Sequence, residues 1–489
     1  MRSLRFLAAL AAATLLVAVT SAAGLSATGG SSSSVPRWWP KYQALLAGNS
    51  APGGGGNVKA GANVDLSNEA GPQSETSIAI NPANPKQVVA GSNEIFRLPM
   101  RGYFSNDGGK SWGAVDLPLP PPLNANQQRF GSDPGVAWDT RGNVYYSYIV
   151  VFFSPTFGAV TGTEMAVARS TDGGQTWTPT YFNFTSGNST FNDKPMIAVD
   201  DNVASAHRDT VYVGWDTAVT GTSGQRDLLL SSHSTDGGVS FSSPVAVSPG
   251  GSKAAVIGAD PFVSPDGTLH IAWHDVIANA VMVASSTDGG ATFGPQSEVA
   301  PTSAAFDVGL PAMASRRALV YPACGADAST GPARGTLYCS WMDETAANGA
   351  DVFVARSTDG STWSAPARVN DDPAGVANDQ FNQWLAVDPA DGSVVLSWND
   401  SRNDPNHVAT DIYFARSTNA AHTFAPNVKV TTAPTDESCC GADLGNQYGD
   451  YEGISALGGV ARPVWTDRRA SVAAVSGLDE EVFSAGVSY

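Results

Sequence analysis

Ser105-Asn-Asp107-Gly-Gly-Lys-Ser111-Trp112 is the stretch that decides the fold, because the chain repeats it. It returns as Ser170-Thr-Asp172 to Trp177, Ser234-Thr-Asp236 to Phe241, Ser286-Thr-Asp288 to Phe293 and, one residue shorter, Ser357-Thr-Asp359 to Trp363. A worn sixth copy, Ser417-Thr-Asn419-Ala-Ala-His-Thr423-Phe424, has lost the acid and the glycines. Each copy reads as a polar hairpin tip. The Asp accepts hydrogen bonds from turn amides, the Gly supplies positive φ, and the closing aromatic packs beneath. Six copies at intervals of 65, 64, 52, 71 and 60 residues make an internal repeat rather than chance, and the repeat argues for one toroidal body.

A second unit repeats between the tips: an apolar strand that starts near an acid. Examples are Glu75-Thr-Ser-Ile-Ala-Ile80, Asp133-Pro-Gly-Val-Ala-Trp138, Asp193-Lys-Pro-Met-Ile-Ala-Val199 and Asp260-Pro-Phe-Val-Ser264. Leu310-Pro-Ala-Met-Ala314, Gln383-Trp-Leu-Ala-Val387 and Glu452-Gly-Ile-Ser-Ala456 continue the series. These are seven inner strands, not six. In five units a second strand ends in a Trp and an Asp: Trp215-Asp216, Trp273-His-Asp275, Trp341-Met-Asp343, Trp398-Asn-Asp400 and Trp465-Thr-Asp467. The last unit has only three strands of its own, and Asn63-Val-Asp-Leu-Ser67 is expected to supply the fourth, closing the ring without a free edge.

The tips resemble the Asp box of the sialidase-type β-propellers. The resemblance implies an all-β, sialidase-like propeller, here with seven four-stranded blades closed by an N-terminal strand. A six-bladed ring, as in true sialidases, is the alternative. It also implies an activity on or binding to glycans, and for a sialidase proper three arginines, a Tyr nucleophile paired with a Glu, and an Asp acid/base. Phe96-Arg97-Leu98-Pro99 is similar to the family's Phe-Arg-Ile-Pro motif but stands after the second strand of its unit instead of before the first. The arginine triad is not identifiable.

Bulk properties set the compartment. Arg2 and Arg5 precede an apolar run from Phe6 to Val19 and a small-residue site ending at Ala23, which reads as a secretory signal peptide over 1–23. Residues 24–60 carry Ser31 to Ser34 and Gly53 to Gly56 and read as a flexible linker. The propeller is expected over 61–489. Later in the chain no run of apolar residues is long enough to span a membrane. The expected location is outside the cell or in a periplasm, and the expected state a monomer. The formal charge of −18 disfavours nucleic acid as a partner, leaving a carbohydrate or cell-surface glycoconjugate. Four cysteines in an exported chain imply two disulfides, with three possible pairings. Cys324 and Cys339 flank an excursion between two apparent strands, so a bridge there clips a hairpin, and Cys439 would pair with its neighbour Cys440.

Strand entries and the turns between second and third strands share one face, and the boxes lie on the other. That assigns the acids Asp133, Asp193, Asp260, Asp307 and Asp379, with Glu75, Asp450 and the Trp-Asp ends, to one mouth of the channel. Asp133, Asp193, Asp260, Asp307 and Asp379, together with Arg402 and Arg468, are the candidate substrate-binding residues. Asp450, Tyr451 and Glu452 are the candidate catalytic group. No cofactor is required by this reading, although a calcium ion with oxygen ligands suits such an acidic mouth. Two functions follow: a glycoside hydrolase, or a non-catalytic propeller that binds polysaccharide or protein at the cell surface.

Overall fold

A computed structural model describes residues 58–69, 71–124, 126–219, 227–249, 255–345, 349–439, 441–469 and 480–489. The expected signal peptide, nearly all of the expected linker, and Cys440 lie outside the described residues. The described chain is all-β and forms seven antiparallel blades, six of four strands and one, blade six, to which the short strand Thr435–Asp436 adds a fifth. The blade order is that of the repeats. Blade one is Gln73–Ile80, Val88–Glu94, Arg101–Ser105 and Gly113–Asp116, and blade two is Gln128–Trp138, Val144–Phe153, Val160–Ser170 and Thr178–Ser186. Blade three begins at Thr190–Val199, blade four at Val256–Val263, blade five at Ala323–Ala326 and blade six at Gln380–Val387. Blade seven joins Gly453–Leu457, Val460–Asp467 and Glu481–Ser488 to Lys59–Asp65.

The ring therefore closes with the N-terminal strand on the C-terminal one, Lys59 facing Ser488 and Asp65 facing Phe483. This strand starts earlier than Asn63 and stops at Asp65, so the propeller begins two residues ahead of the expected boundary at 61. The inner strand expected at Leu310–Ala314 is not a strand. Pro311–Met313 is a 3-10 turn inside an insertion whose short strands Asp307–Val308 and Ala318–Leu319 pair with each other. Proline at the second position suits such a turn and removes a ladder donor, and blade five takes Ala323–Ala326 as its inner strand instead.

The repeated tips are built as their residues dictate. In the first, Ser105 Oγ accepts the Gly109 amide at 2.8 Å and donates to Asp107 Oδ1 at 2.8 Å. Asp107 Oδ1 also accepts the amides of Lys110 and Ser111. The same bonds recur around Asp172, Asp236, Asp288 and Asp359. Hydroxyl donation from Ser240 and Thr292 holds Asp236 and Asp288 down at about 2. The worn copy keeps the turn, with Ala420 and Ala421 at φ 57° and 55° where the others have Gly, a conformation that costs roughly 1 kcal/mol per residue. Closing aromatics seal neighbouring blades: Phe241 of blade three stacks on Phe182 of blade two at 4.3 Å.

The second-strand tryptophans Trp215, Trp273, Trp341, Trp398 and Trp465 are fully buried between blades. Two of the acids that follow them serve the same blade rather than the channel. Trp398 Nε1 donates to Asp400 and Trp465 Nε1 to Asp467, each at 2.9 Å. Arg402 and Arg469 then cap those carboxylates.

Cys324 and Cys339 are register partners on adjacent strands and are joined by a disulfide, as the hairpin reading expects and as is compatible with export. Cys439 is also disulfide-bonded. Replacing Cys324 and Cys339 together by serine releases a loop with a sequence separation of 15. Denaturant titration should show a loss of about 3 kcal/mol, and an unchanged midpoint would refute a stabilising role for the bridge.

Candidate functional site at the propeller axis

The first strands of five blades break register once, between Ser74 and Thr76, Ser132 and Gly135, Asp193 and Met196, Ile257 and Asp260, and Phe381 and Trp384. The residue in the left-handed region at these bulges is Glu75, Asp133, Lys194, Gly258 and Asn382, with φ 52°, 64°, 54°, 76° and 49°. A bulge re-aims the side chain it carries, and left-handed Glu, Asp, Lys and Asn persist only where surrounding structure holds them. Blade five has no bulge among its described pairs and contributes Tyr321, just before its inner strand. Gly258 has no side chain because a Cβ there would collide with the Tyr321 ring.

These side chains meet on the axis, the one place where blades on opposite sides of the ring can touch. Lys194 of blade three bonds Asp450 at the entry to blade seven. Its ammonium also lies 5.6 Å from the ring centre of Tyr321. Asn382 Nδ2 donates to the Gly449 carbonyl at 3.2 Å. Asn93 ties two blades together, donating to Glu75 Oε2 at 2.6 Å while its Oδ1 accepts the Asp133 amide at 2.7 Å. The rings of Tyr321 and Trp384 pack on Tyr451 at 6.2 and 5.9 Å.

Arg316, in the insertion before blade five, enters from above. Its Nη2 lies 2.9 Å from Glu75 Oε1 and 2.8 Å from Asp450 Oδ1, and its Nε donates to Asp450 Oδ1 at 2.8 Å. The insertion is latched to the loop before blade seven. Gln447 accepts the Arg316 amide through Oε1 and donates through Nε2 to the Ala312 carbonyl, each at 3.0 Å. Glu75, Asp133, Lys194, Asp450, Tyr321 and Tyr451 are all buried.

Burial and charge shift the acids in opposite directions. Burial, then repulsion from Asp450, pushes Glu75 well above the usual carboxylate range despite Lys194. Asp193 is pushed up by burial against the pull of Lys194, and Asp216 to about 8 by the same balance. Burial acts on Asp450 too, but Arg316 and Lys194 outweigh it and hold that carboxyl low. For Asp133 burial is likewise overcome, by Lys194 and by hydrogen bonds from Asp193, Ser132 and Glu75. The cations Lys194 and Arg316 thus face Asp133 and Asp450, which they hold low, while burial raises Glu75 and Asp193 beside them.

The other expected site residues lie elsewhere or play other parts. Asp193 stands one position before the axial Lys194, although it belongs to the cluster. Asp260 is two residues past the bulge and accepts the Cys324 amide at 2.5 Å. Asp307 is paired with Arg317 inside the insertion at 2.8 Å. Asp379 sits between blades five and six near Asp351 and Asp400. Arg402 lies over the Tyr413 ring and pairs with Asp400 and Asp371, and Arg468 donates to the backbone carbonyls of Asp436 and Cys439. None of these last four is bonded to Glu75, Asp133, Lys194, Arg316 or Asp450. Arg97 is bound by Glu69 and Asp116 on the outside of blade one.

Tyr451 and Glu452 diverge, as consecutive residues entering a strand must. Tyr451 turns to the axis, while Glu452 accepts Asn399 Nδ2 at 2.8 Å and the Thr466 amide at 3.1 Å between blades six and seven. They do not form a nucleophile pair. Sequence reading missed Lys194, Arg316 and Tyr321. Lys194 and Tyr321 were within reach, since Asp133-Pro134, Lys194-Pro195 and Tyr321-Pro322 share one pattern. Arg316 carries no such signal. For the calcium expectation, no three His, Cys, Asp or Glu side chains among the described residues are grouped to hold a metal ion, and no helix there is long and apolar enough to cross a membrane.

The fold is a seven-bladed β-propeller with a buried, charged cluster on its axis. No family model matches the chain, and no curated protein does. Solved structures similar to it include the leech intramolecular trans-sialidase, with 11% identity, 77% of this chain and 72% of that chain covered and a TM-score of 0.46. The intramolecular trans-sialidase of Ruminococcus gnavus is similar at 12% identity over 68% and 91%, with a TM-score of 0.43. An α-L-arabinanase of Penicillium chrysogenum is similar at 11% identity over 87% and 98%, also at 0.43. These are likenesses of architecture, and they carry no residue's role to this chain.

Proposed function

We propose that the protein is an exported, carbohydrate-directed propeller that works at the axial cluster as a glycoside hydrolase, with Glu75 as proton donor and Asp450 as its ionised partner. The observation that carries this reading is the shared Arg316 Nη2, 2.9 Å from one carboxyl and 2.8 Å from the other. Two carboxyls that share one guanidinium nitrogen and are shifted in opposite directions fit the two-carboxylate scheme of a glycosidase. A neutral glycan suits the site better than a sialoside. The two buried cations, Arg316 and Lys194, are already committed to Asp450, so a substrate carboxylate would have to displace it.

The binding-module reading is favoured by a different observation. The cluster is enclosed by the insertion carrying Arg316 and by the Gln447 loop, and much of its bonding is internal. A hydrolase would have to release that latch to admit a sugar.

Turnover of fluorogenic neutral glycosides, alongside a sialoside, separates the two. The hydrolase reading expects activity on a neutral glycoside that Glu75→Gln lowers by about 10²- to 10⁴-fold with little change in melting temperature. Silence across the panel, or full activity in Glu75→Gln, would sink it.

A further inference from the structure

The loop before blade seven holds a second buried group of acids, which the axial cluster does not use. Glu437 is 0% exposed, and neither oxygen of its carboxyl has a hydrogen-bond partner among the described residues. Glu480 is equally buried; its Oε1 accepts the Asp443 amide at 2.5 Å, while its Oε2 is without a partner. Thr466, also 0% exposed, has an unpartnered Oγ1. The charges that act on Glu437 are those of Glu480, Glu452 and Asp467, opposed by Arg468. Glu452 and Asp467 are already satisfied, the first by Asn399 and the Thr466 amide, the second by Trp465 and Arg469.

A buried carboxyl without a partner is costly, and a proton does not relieve it. The protonated acid carries an O–H donor in need of an acceptor, and Glu437 has neither donor nor acceptor in reach among the described residues. The adjoining chain cannot supply a counter-charge, since residues 435–447 and 470–479 contain no Lys, Arg or His. A hard cation satisfies several such oxygens and their charge together. All the free atoms are oxygens, and Cys439 of the same loop is tied up in a disulfide, which excludes a thiolate metal site. No three acid, His or Cys side chains converge there, so two carboxylates must be supplemented by hydroxyl, carbonyl and water ligands. Calcium accepts that mixture in a flexible shell, whereas magnesium demands a near-ideal octahedron.

We propose that Glu437 and Glu480, with the Thr466 hydroxyl, form a structural calcium site that staples the 435–447 loop to blade seven. The same loop carries Gln447, whose Nε2 donates to the Glu437 carbonyl at 2.8 Å, so the ion steadies the latch on the Arg316 insertion. The site is independent of whether the axial cluster is catalytic.

Melting of the full chain, stripped with a chelator and returned to millimolar calcium or magnesium chloride, tests the proposal together with a metal count on the calcium-dialysed protein. Expected are one calcium per chain and a melting temperature about 3 °C or more higher with calcium, with a smaller rise for magnesium. Glu437→Gln and Glu480→Gln should each abolish the calcium response, and the second carries the test if the first is not recovered folded. Asp379→Asn, at another buried carboxyl without a partner, should keep it. No bound calcium and no shift would overturn the proposal. So would an equal rise with magnesium, a response that survives both glutamine variants, or one that Asp379→Asn removes.

Discussion

Replacing Asp450 by alanine is expected to destabilise the protein by about 3–5 kcal/mol, the usual result of removing one partner from a buried ion pair. Asp450 is fully buried and answers two cations: Lys194, its side chain 5% exposed, and Arg316, its side chain 8% exposed. Without it both charges stay in the interior, and the remaining carboxylate on that side, Asp133, bonds through Oδ2 to the Lys194 amide. Loss of Asp450 also frees the guanidinium that joins the insertion to the axis, so the Gln447 latch should loosen with it. Denaturant unfolding of the wild type, Asp450→Ala and Asp450→Asn measures the effect. A loss below about 1 kcal/mol, the scale of a surface pair, would show that the cluster is open to water.

Stability should fall as pH rises from about 5 to about 8. Burial pushes Glu94, Asp216 and Asp260 up to about 8 in the folded chain, with Glu69 adding for Glu94, Lys194 opposing for Asp216 and the Cys324 amide opposing for Asp260. Unfolded, these groups titrate near 4. Between those values the folded protein holds more protons than the unfolded one, so each step up in pH favours unfolding. The contribution is fully present below the unfolded pKa and gone above the folded one. Asp450 and Asp133, held low by their cations, act in the opposite sense and lose their contribution only as the medium becomes strongly acidic. The melting temperature should therefore peak on the acid side of neutrality. Asp260→Asn, which retains an acceptor for the Cys324 amide, should flatten the alkaline limb. A melting temperature that climbs between pH 5 and pH 8 would contradict the assignment of these carboxyls as protonated.

Much of the architecture was legible from local chemistry. The Ser-Asp-Gly tips satisfy their own hydrogen bonds within a few residues, so Ser105 to Trp112 means the same turn wherever it occurs. The count of seven came from inner strands such as Thr76–Ile80 and Val136–Trp138, whose apolar residues must pack between blades. Reading failed where an insertion intervened: Leu310-Pro-Ala-Met-Ala314 has the composition of an inner strand, but its proline and the downstream Cys324–Cys339 hairpin shift the strand to Ala323. The candidate site was legible as a face and a set of acids, not as a constellation. Asp450 and Tyr451 do reach the axis. Glu452 turns away from it, as alternation along a strand requires, and Asp307, Asp379, Arg402 and Arg468 were placed at the mouth by chain position alone.

By itself the sequence determined the repeat and the closure of the ring by residues near 63, and it favoured the Cys324–Cys339 bridge among three pairings, because each depends on turns, strand periodicity or neighbours in register. Only the tertiary structure decided which side chains meet. A bulge of one residue turns Lys194 inward in place of Asp193, and a left-handed backbone at Glu75 and Asp133 is tolerated because Asn93 and Arg316 hold them. Arg316 joins carboxyls 241 and 134 positions away in the chain. Such contacts depend on the ring's closing around an axis, and no local pattern of residues encodes the point where seven blades converge.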